Sequence, residues 1–379
     1  MQALVEHKGK QFLVEENSEL KFPYLGGKIG EKIELEKILY TDDSKKKEFG
    51  SPYIDGLAIS AEILSHGRDK KVVVFKMKRR KGYQVKKGHR QDFTMVKINK
   101  FKKTISVDSD KSISIRSFLI GSISQGISTL DNILESEDVF STIECLKKLG
   151  IKIKKVKIKK YKVFGKGLGS LSAKPNTYLN FGNSGTLARL LTGIISSTPN
   201  LTLNLKGDHS LKKRNMKSLV KLLENFGAEF TPKNKFYFPL KITSSNFPIG
   251  ITYEAGSSAQ LKSAAILAGL NSFGTTEIIE KNVSREHTEN MLKNNKQVFK
   301  LTNKKTKKIQ VSGKKYLTKF DIKVPGDPSS AAFFTTLALL NDNSNLEIRN
   351  VGLDSRRIGF YELLRKSGGK IKFKNLRKI

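Results

Sequence analysis

The stretch Lys76-Met77-Lys78-Arg79-Arg80-Lys81-Gly82-Tyr83-Gln84-Val85-Lys86-Lys87-Gly88-His89-Arg90 carries eight cations and no acid. The residues after it, Gln91-Asp92-Phe93-Thr94-Met95-Val96-Lys97-Ile98, alternate polar with apolar. That period marks a half-buried strand, so the basic run is anchored on a folded β body, with Gly82 and Gly88 predicting a bendable loop. Charge this dense repels itself across a compact surface and calls for a polyanion beside it. Tyr83, His89 and Phe93 offer flat faces that stack on unpaired bases, which makes RNA the natural partner. The residues expected to meet it are Lys76, Lys78, Arg79, Arg80, Lys81, Tyr83, Lys86, Lys87, His89, Arg90 and Gln91. The competing reading is a solvated lysine-rich loop; the strand that anchors it counts against that.

Upstream, short alternating segments (Ala3 to Val5, Gln11 to Val14, Lys32 to Leu35, Leu57 to Ile63, Val72 to Phe75) are separated by Lys8-Gly9-Lys10, Leu25-Gly26-Gly27, Asp42-Asp43-Ser44 and Gly67-Arg68-Asp69. This spacing predicts a small all-β barrel over residues 1–103. Downstream the texture changes. Asp138 to Leu149 places Val139, Ile143, Leu146 and Leu149 on one helical face, and Leu211 to Phe226 does the same with Met216, Leu219, Leu222 and Leu223. Strands alternating with helices imply an α/β region over residues 104–379. Between the last alternating strand and that region lie only Asn99-Lys100-Phe101-Lys102-Lys103, a short linker.

The formal net charge of +36 over 379 residues fits a nucleic-acid partner or anionic substrates. Residues 1–103 hold 24 Lys/Arg against 14 Asp/Glu, a net of +10, so the other +26 lies beyond them. Much of that excess is lysine spread among Asn and Ile, a compositional bias. The single cysteine, Cys145, sits inside a helical apolar pattern, which excludes a disulfide framework and a cysteine-built metal site and predicts a core residue in a reducing cytoplasm. No apolar run approaches the roughly 20 residues that span a bilayer, and the N-terminus has no signal-peptide pattern. The expectation is a soluble cytoplasmic protein with no membrane partner.

The first 103 residues resemble the bacterial large-subunit ribosomal protein L-twenty-one family. The resemblance is carried by Gly9-Lys10-Gln11, Gly50-Ser51-Pro52-Tyr53-Ile54-Asp55-Gly56, Ala61-Glu62-Ile63-Leu64-Ser65-His66-Gly67-Arg68, and Lys78-Arg79-Arg80-Lys81-Gly82-Tyr83 leading to Gly88-His89-Arg90-Gln91-Asp92-Phe93-Thr94. It implies binding to large-subunit ribosomal RNA beside neighbouring ribosomal proteins, and a ribosome-associated location. Phosphate contacts would position the loop, and Tyr83, His89 and Gln91 would read base or ribose.

Beyond residue 103 three constellations suit small anions. Asp110-Lys111-Ser112-Ile113-Ser114-Ile115-Arg116 opens an apolar helix with a lysine, a hydroxyl, an arginine and free N–H groups. Gly182-Asn183-Ser184-Gly185-Thr186-Leu187-Ala188-Arg189 permits close backbone approach, or simply caps a helix. Pro325-Gly326-Asp327-Pro328-Ser329-Ser330-Ala331-Ala332 opens another helix with a carboxylate that is either a base or a cap. In this order, together with Gly207-Asp208-His209-Ser210-Leu211 followed by Arg214 and Met216, Ser257-Ser258-Ala259-Gln260-Leu261-Lys262-Ser263-Ala264, and Ser284-Arg285-Glu286-His287-Thr288-Glu289, they resemble the enolpyruvyl transferases, and within them the 5-enolpyruvylshikimate-3-phosphate synthases. The sister family acting on a UDP-amino sugar has Lys-Asn at the first motif, where this chain has Lys111-Ser112.

The resemblance implies repeated β-α-β-α-β-β units and transfer of the carboxyvinyl group of phosphoenolpyruvate to the 5-hydroxyl of shikimate 3-phosphate, with no metal and no organic cofactor. Two anionic substrates side by side need cations to offset their repulsion. Carried over by motif, Lys111 lies between both substrates, Ser112 and Arg116 hold shikimate 3-phosphate, and Ser258 and Gln260 bind its shikimate side. Asn183, Gly185 and Arg214 face phosphoenolpyruvate, and Asp327 is the general base. The chain departs from the family at Asp108-Ser109 for Pro-Gly, at Asn215 for a proline, and at Asn180 for an aspartate. It ends before a Lys-Glu-x-x-Asp-Arg motif, so the expectation is a transferase region incomplete at its C-terminus, with a sheet edge and apolar helix faces uncovered and charged contacts to phosphoenolpyruvate missing. Three readings stay open: a ribosomal protein with a transferase-like extension, a bifunctional protein whose activity persists or is completed by another chain, or two separate products joined by a lost stop codon, a frameshift or a sequencing error.

Overall fold

A computed structural model describes residues 2–42, 47–303, 307–341 and 345–376. The chain begins with β1 (Gln2–His7), β2 (Lys10–Glu15), β3 (Glu19–Pro23), β4 (Lys32–Leu35), β5 (Ile38–Asp42), β6 (Lys47–Phe49), β7 (Leu57–Arg68), β8 (Val72–Lys78), β9 (Tyr83–His89) and β10 (Asp92–Ser106). It continues through α1 (Lys111–Ile123), β11 (Gln125–Asp131), α2 (Glu137–Lys148), β12 (Lys152–Lys157), β13 (Lys160–Lys166), β14 (Thr177–Asn180), α3 (Gly185–Ser196), β15 (Thr202–Lys206), α4 (His209–Lys212), α5 (Lys217–Glu224), β16 (Glu229–Thr231) and β17 (Leu240–Thr243). Then come β18 (Thr252–Ala255), α6 (Ala259–Leu270), β19 (Thr275–Glu280), α7 (His287–Leu292), β20 (Phe299–Asn303), β21 (Lys307–Ser312), β22 (Ile322–Lys323), α8 (Pro328–Leu340), β23 (Leu346–Arg349) and α9 (Gly359–Lys366). Two compact units result: Met1–Val107 with Ala331–Asn350, and Asp108–Ser330 with Val351–Ile379. None of these helices is long and apolar enough to cross a membrane.

In the first unit β2-β1-β5-β6 form one sheet and β23-β10-β7-β4 another, with β3 also paired to β10. Lys8 and Gly9 both take positive φ in the β1–β2 turn, the backbone that a two-residue hairpin loop demands. Ala3, Val5, Val14, Phe22, Ile38, Ile59, Ile63, Val96 and Ile98 fill a single core. The turn expected at Asp42-Asp43-Ser44 falls largely outside the described residues, since Asp43 and Ser44 are not among them. The break expected at Gly67-Arg68-Asp69 comes later, because β7 stays paired with β10 to Arg68.

Two local expectations are corrected. The basic run is not a bendable loop: β8 and β9 pair without interruption from Val72 opposite His89 to Lys78 opposite Tyr83. Gly88 lies inside this ribbon, and only Gly82, at φ +56, serves the turn. Val72, Val73, Val74 and Phe75 favour extended backbone, and pairing satisfies their main-chain groups. Nor is Asn99–Lys103 a linker. The backbone of β10 runs through it to Ser106, re-pairing with β7 after a register shift between Ile98 and Phe101 and lying parallel to β23 from Lys103 to Ser106.

The second unit repeats one plan three times. Sheets β16-β17-β15-β14, β20-β21-β19-β18 and β12-β13-β11-β22 have the same order, each with an antiparallel trio and a fourth strand parallel to the innermost of them. For the third sheet that fourth strand is β22, far downstream of the rest. Helices α1, α3 and α6 are almost wholly buried, as central helices are, with Arg116 and Lys262 among their buried residues. α2 behaves as its pattern predicts, with Val139, Ile143, Leu146 and Leu149 in the core and Cys145 buried beside them. Burial pushes the Cys145 thiol up to about 12, which leaves it unreactive. The helix expected over Leu211–Phe226 is broken: α4 ends at Lys212 and α5 begins at Lys217, whose N–H is accepted by Asn215 Oδ1 at 2.8 Å.

Candidate functional site

Asp110 caps α1 by accepting the Ile113 N–H at 2.9 Å, which leaves Lys111 as the first helical residue. The backbone draws the Pro325–Asp327 segment alongside: Asp110 N–H donates to Pro325 O at 2.9 Å and Asp327 N–H to Asp108 O at 2.8 Å. Arg357 then joins the two carboxylates. Its guanidinium bonds Asp110 through one nitrogen, and Asp327 at 2.7 Å and Ser329 Oγ at 2.8 Å through another. Asp327 Oδ1 also accepts the Ser329 N–H at 2.8 Å, the geometry of a helix cap. Lys111 Nζ sits 3.1 Å from Asp138 with half its side chain exposed.

Around α3 a second set forms. Ser184 caps the helix at Leu187, and Gly185 lies between two guanidinium groups. A Cβ on Gly185 would sit 2.8 Å from an Nη1 of both Arg189 and Arg214. Arg214 donates to Asn183 Oδ1 at 2.8 Å, and Arg189 donates to Gly185 O at 3.0 Å and Gln260 Oε1 at 2.9 Å. Gln260 in turn donates to Thr186 Oγ1 at 2.9 Å. Burial, followed by repulsion from Arg214, holds the Arg189 pKa below its ordinary value. Two arginines so close, with open glycine backbone between them, form a pocket of positive potential suited to a small anion.

Gln260 also lines a cleft of about 410 Å³, with Ser257, Ser258, Ala259, Val283, Ser284, Arg285 and Arg356. Ser258 caps α6 at Leu261. The loop carrying Arg285 is held from behind by buried charge. Lys262, 0% exposed, lies 2.9 Å from Glu280 and 2.5 Å from Glu289, as ion-pair contacts rather than aligned hydrogen bonds. Lys307 reaches Glu280, Glu286 and Glu289 at 3.2, 2.5 and 3.3 Å. Glu280 Oε1 also accepts both the N–H and the hydroxyl of Ser284. Burial alone would raise the Glu280 carboxyl, but Lys262 and Ser284 outweigh it and hold it below the usual carboxylate range.

Of the residues singled out in the sequence, Asn183, Gly185, Arg214 and Gln260 are brought together, and Ser258 shares the cleft with Gln260. Arg116 is 3% exposed and donates to Thr288 Oγ1 at 2.9 Å, Ser263 Oγ at 3.2 Å and Ser112 O at 3.0 Å. Burial lowers its pKa to about 10, so it stays charged at neutral pH. Among the described residues no hydrogen bond or ion pair links Lys111 or Asp327 to the set around Gly185. Sequence reasoning gave no role to Arg189 or Arg285, although both stand in the quoted motifs, and had no signal for Arg356 and Arg357. In the first unit, β8, β9 and the residues beside them expose Lys76, Lys78, Arg79, Arg80, Lys81, Lys86, Lys87 and Arg90, with Tyr83 beneath Lys78 at 5.5 Å and His89 Nε2 at 3.4 Å from Gln91.

The family model for EPSP synthase (3-phosphoshikimate 1-carboxyvinyltransferase) matches residues 95–378. The chain belongs to the EPSP synthase family. Residues 1–101 match the model for ribosomal prokaryotic L21 protein, so one chain carries both, and the matches overlap at residues 95–101, inside β10. A 3-phosphoshikimate 1-carboxyvinyltransferase of Paramagnetospirillum magneticum is 39% identical over 270 residues, which is 70% of this chain and 60% of that protein. Its counterpart in Streptococcus agalactiae serotype III is 39% identical over 280 residues, 73% of this chain and 64% of that one. The solved EPSP synthase of Acinetobacter baumannii superposes with a TM-score of 0.66 at 34% identity, over 73% of this chain and 61% of its own. The three repeats are therefore those of the enolpyruvyl-transferase fold. The chain spans about 60% of the length of these relatives.

Proposed function

We propose that this chain joins an RNA-binding ribosomal module, residues 1–103, to an EPSP synthase region, residues 104–379, that binds phosphoenolpyruvate and shikimate 3-phosphate. In this reading the two sheets of the module close as a small barrel, and the exposed ribbon reaches between helices of large-subunit ribosomal RNA, among neighbouring ribosomal proteins in the cytoplasm. The observation that carries RNA binding is the ribbon itself: eight cations on β8, β9 and the residues beside them, with Val72, Val73, Val74, Phe75, Met77 and Tyr83 exposed. Apolar and cationic groups displayed together suit a ligand with phosphates and stacking faces. Changing Arg79, Arg80, Lys86 and Lys87 to Glu abolishes binding of large-subunit ribosomal RNA by residues 1–103. In the parent, about six phosphate contacts give a slope of log affinity on log salt of roughly −5. Unchanged binding in the variant would refute the assignment.

The transferase reading rests on Gly185, held between Arg189 and Arg214. There phosphoenolpyruvate meets Asn183, Gly185 and Arg214, while shikimate 3-phosphate meets Ser112, Ser258 and Gln260, and Lys111 lies between the two. Arg116, buried beneath, lends its charge and holds Thr288 and Ser263. Asp327 has two competing roles: general base through Oδ2, which has no partner among the described residues, or cap and Arg357 anchor through Oδ1. Calorimetry and phosphate release on the full chain separate them. Gly185→Ala drives a methyl against both guanidinium groups and weakens phosphoenolpyruvate binding about ten- to a hundredfold, the worth of a charged hydrogen bond. Asp327→Asn keeps the cap, so as a base it cuts turnover while sparing affinity. Equal turnover of this variant and the parent leaves Asp327 as a cap.

A further inference from the structure

The lysines of the second unit are not spread evenly. Residues 152–166, Lys-Ile-Lys-Lys-Val-Lys-Ile-Lys-Lys-Tyr-Lys-Val-Phe-Gly-Lys, hold eight lysines and no acid, the same density as the basic run of the first unit. They form β12 and β13 of the β12-β13-β11-β22 sheet. Ile153, Val163, Ser128 and Leu130 turn inward, so Lys152, Lys154, Lys162, Phe164, Lys166 and Ile127 share the other face, which is open. Lys154 stands directly opposite Lys162, and Lys152 opposite Phe164, with its ammonium 5.2 Å from the ring centre. Ile127, opposite Phe164 on the other side, is 43% exposed.

Among the described residues none of Lys152, Lys154, Lys162 and Lys166 has an acidic partner. Lys155 and Lys159, off this face, do: Glu135 at 2.8 Å and Asp108 at 3.6 Å. Asp131 and Asp321 share this face by alternation but lie at its β22 end, away from β12, where they accept the backbone N–H groups of Asn132 and Thr129. The sister sheet β20-β21-β19-β18 shows what lysine-rich composition does by itself. There Lys308 meets Glu277 at 3.3 Å and Lys281 meets Glu254 at 3.1 Å. Like charges directly opposite on a sheet are destabilising, so the β12–β13 part of the face, with Lys154 opposite Lys162, is favoured where a polyanion covers it.

We propose that the open face of the β12-β13-β11-β22 sheet is a second RNA-binding surface, holding a single strand by four lysines with Phe164 as its stacking platform. Lys152 and Lys154, two residues apart on β12, stand about 6.6 Å apart, and on β13 Phe164 lies between Lys162 and Lys166. A sheet that displays an aromatic ring, here the half-buried Phe164, among lysines takes up unpaired bases. This surface shares no residue with the Gly185 site or with the β8–β9 ribbon.

The test uses the full chain with Arg79, Arg80, Lys86 and Lys87 changed to Glu, so that the ribbon is silent, and a labelled single-stranded RNA of about 12 nucleotides, within the site sizes of sheet-based binders. Anisotropy titrations at several salt concentrations are expected to show binding with a log–log slope of roughly −3, from four contacts to a single strand. Changing Lys152, Lys154, Lys162 and Lys166 to Gln lowers affinity at least about tenfold and flattens that slope; changing the four to Arg preserves both. Phe164→Ala weakens binding roughly five- to a hundredfold, the range for loss of one stacking platform. The Arg and Phe164 variants keep the test decisive should the Gln variant fail to fold. Four results would overturn the proposal: no RNA binding once the ribbon is silenced, affinity unmoved by the Gln changes, affinity unmoved by Phe164→Ala, or equal affinity for polyglutamate of the same charge, which would make the surface an acidic-protein site.

Discussion

His287 shows how one buried side chain ties the site to pH. Burial, then the charges of Arg116 and Arg357, lowers its pKa to about 3, so at neutral pH it is uncharged. In the unfolded chain its value is 6.5. Between those values the unfolded state takes up a proton that the folded state refuses, so stability is full above pH 6.5 and falls as the pH drops toward 3. The loss is on the order of a few kcal/mol. Urea denaturation at a series of pH values is expected to show it, and His287→Gln to flatten that part of the profile. A variant curve parallel to the parent would assign the acid sensitivity to other groups. The motif Ser284-Arg285-Glu286-His287 pointed to this place in the sequence, but the neutral state could not be read there, because Arg116 and Arg357 approach from distant parts of the chain.

Helix α6 joins the anion cleft to a buried charge network through one turn of residues. Ser258 and Gln260 line the cleft, while Lys262 turns inward among Glu280 and Glu289. Removing one member leaves the others charged and dry. Lys262→Met is expected to cost roughly 3–5 kcal/mol of unfolding free energy, and adding Glu289→Met to recover part of it, measured by urea midpoints at constant slope. No recovery in the double variant would show that packing, not charge, sets the cost. Local sequence marks α6 as an apolar helix; it does not reveal that Lys262 is buried, since its partners lie on β19 and α7. Strand β10 teaches the same lesson. Thr94, Val96 and Ile98 announce it by their alternation, yet its second half pairs with β7 and β23 and reads in sequence as a linker.

Each unit has its own apolar core, and among the described residues no core residue belongs to both. Two cooperative transitions are therefore expected in urea, the smaller core of the first unit giving way first, since unfolding free energy grows with the surface buried. Fluorescence of tryptophans introduced singly at Phe22 and Phe181, each buried in one core, would follow them separately. Coincident midpoints and slopes would show one cooperative body. Ala331–Asn350 belongs with the first unit, although the sequence change near residue 103 assigns that segment to the transferase region. The reason is the parallel pairing of β23 with β10, supported by Arg349 bonding Glu34 at 2.7 Å.

Period and punctuation alone determined the elements that bury one face. Alternation set the core side of β10, helical spacing set that of α2, and the order of the glycine- and serine-rich motifs marked where α1, α3, α6 and α8 begin. These follow from interactions within a few residues, which the chain carries wherever it folds. Tertiary structure decided what depends on residues far apart: the closing of the third sheet by β22, the cradle that Arg214 completes around Gly185, and the clamp of Arg357 on Asp110 and Asp327. Such pairings are set by long-range packing and by the need to satisfy every buried charge and backbone group.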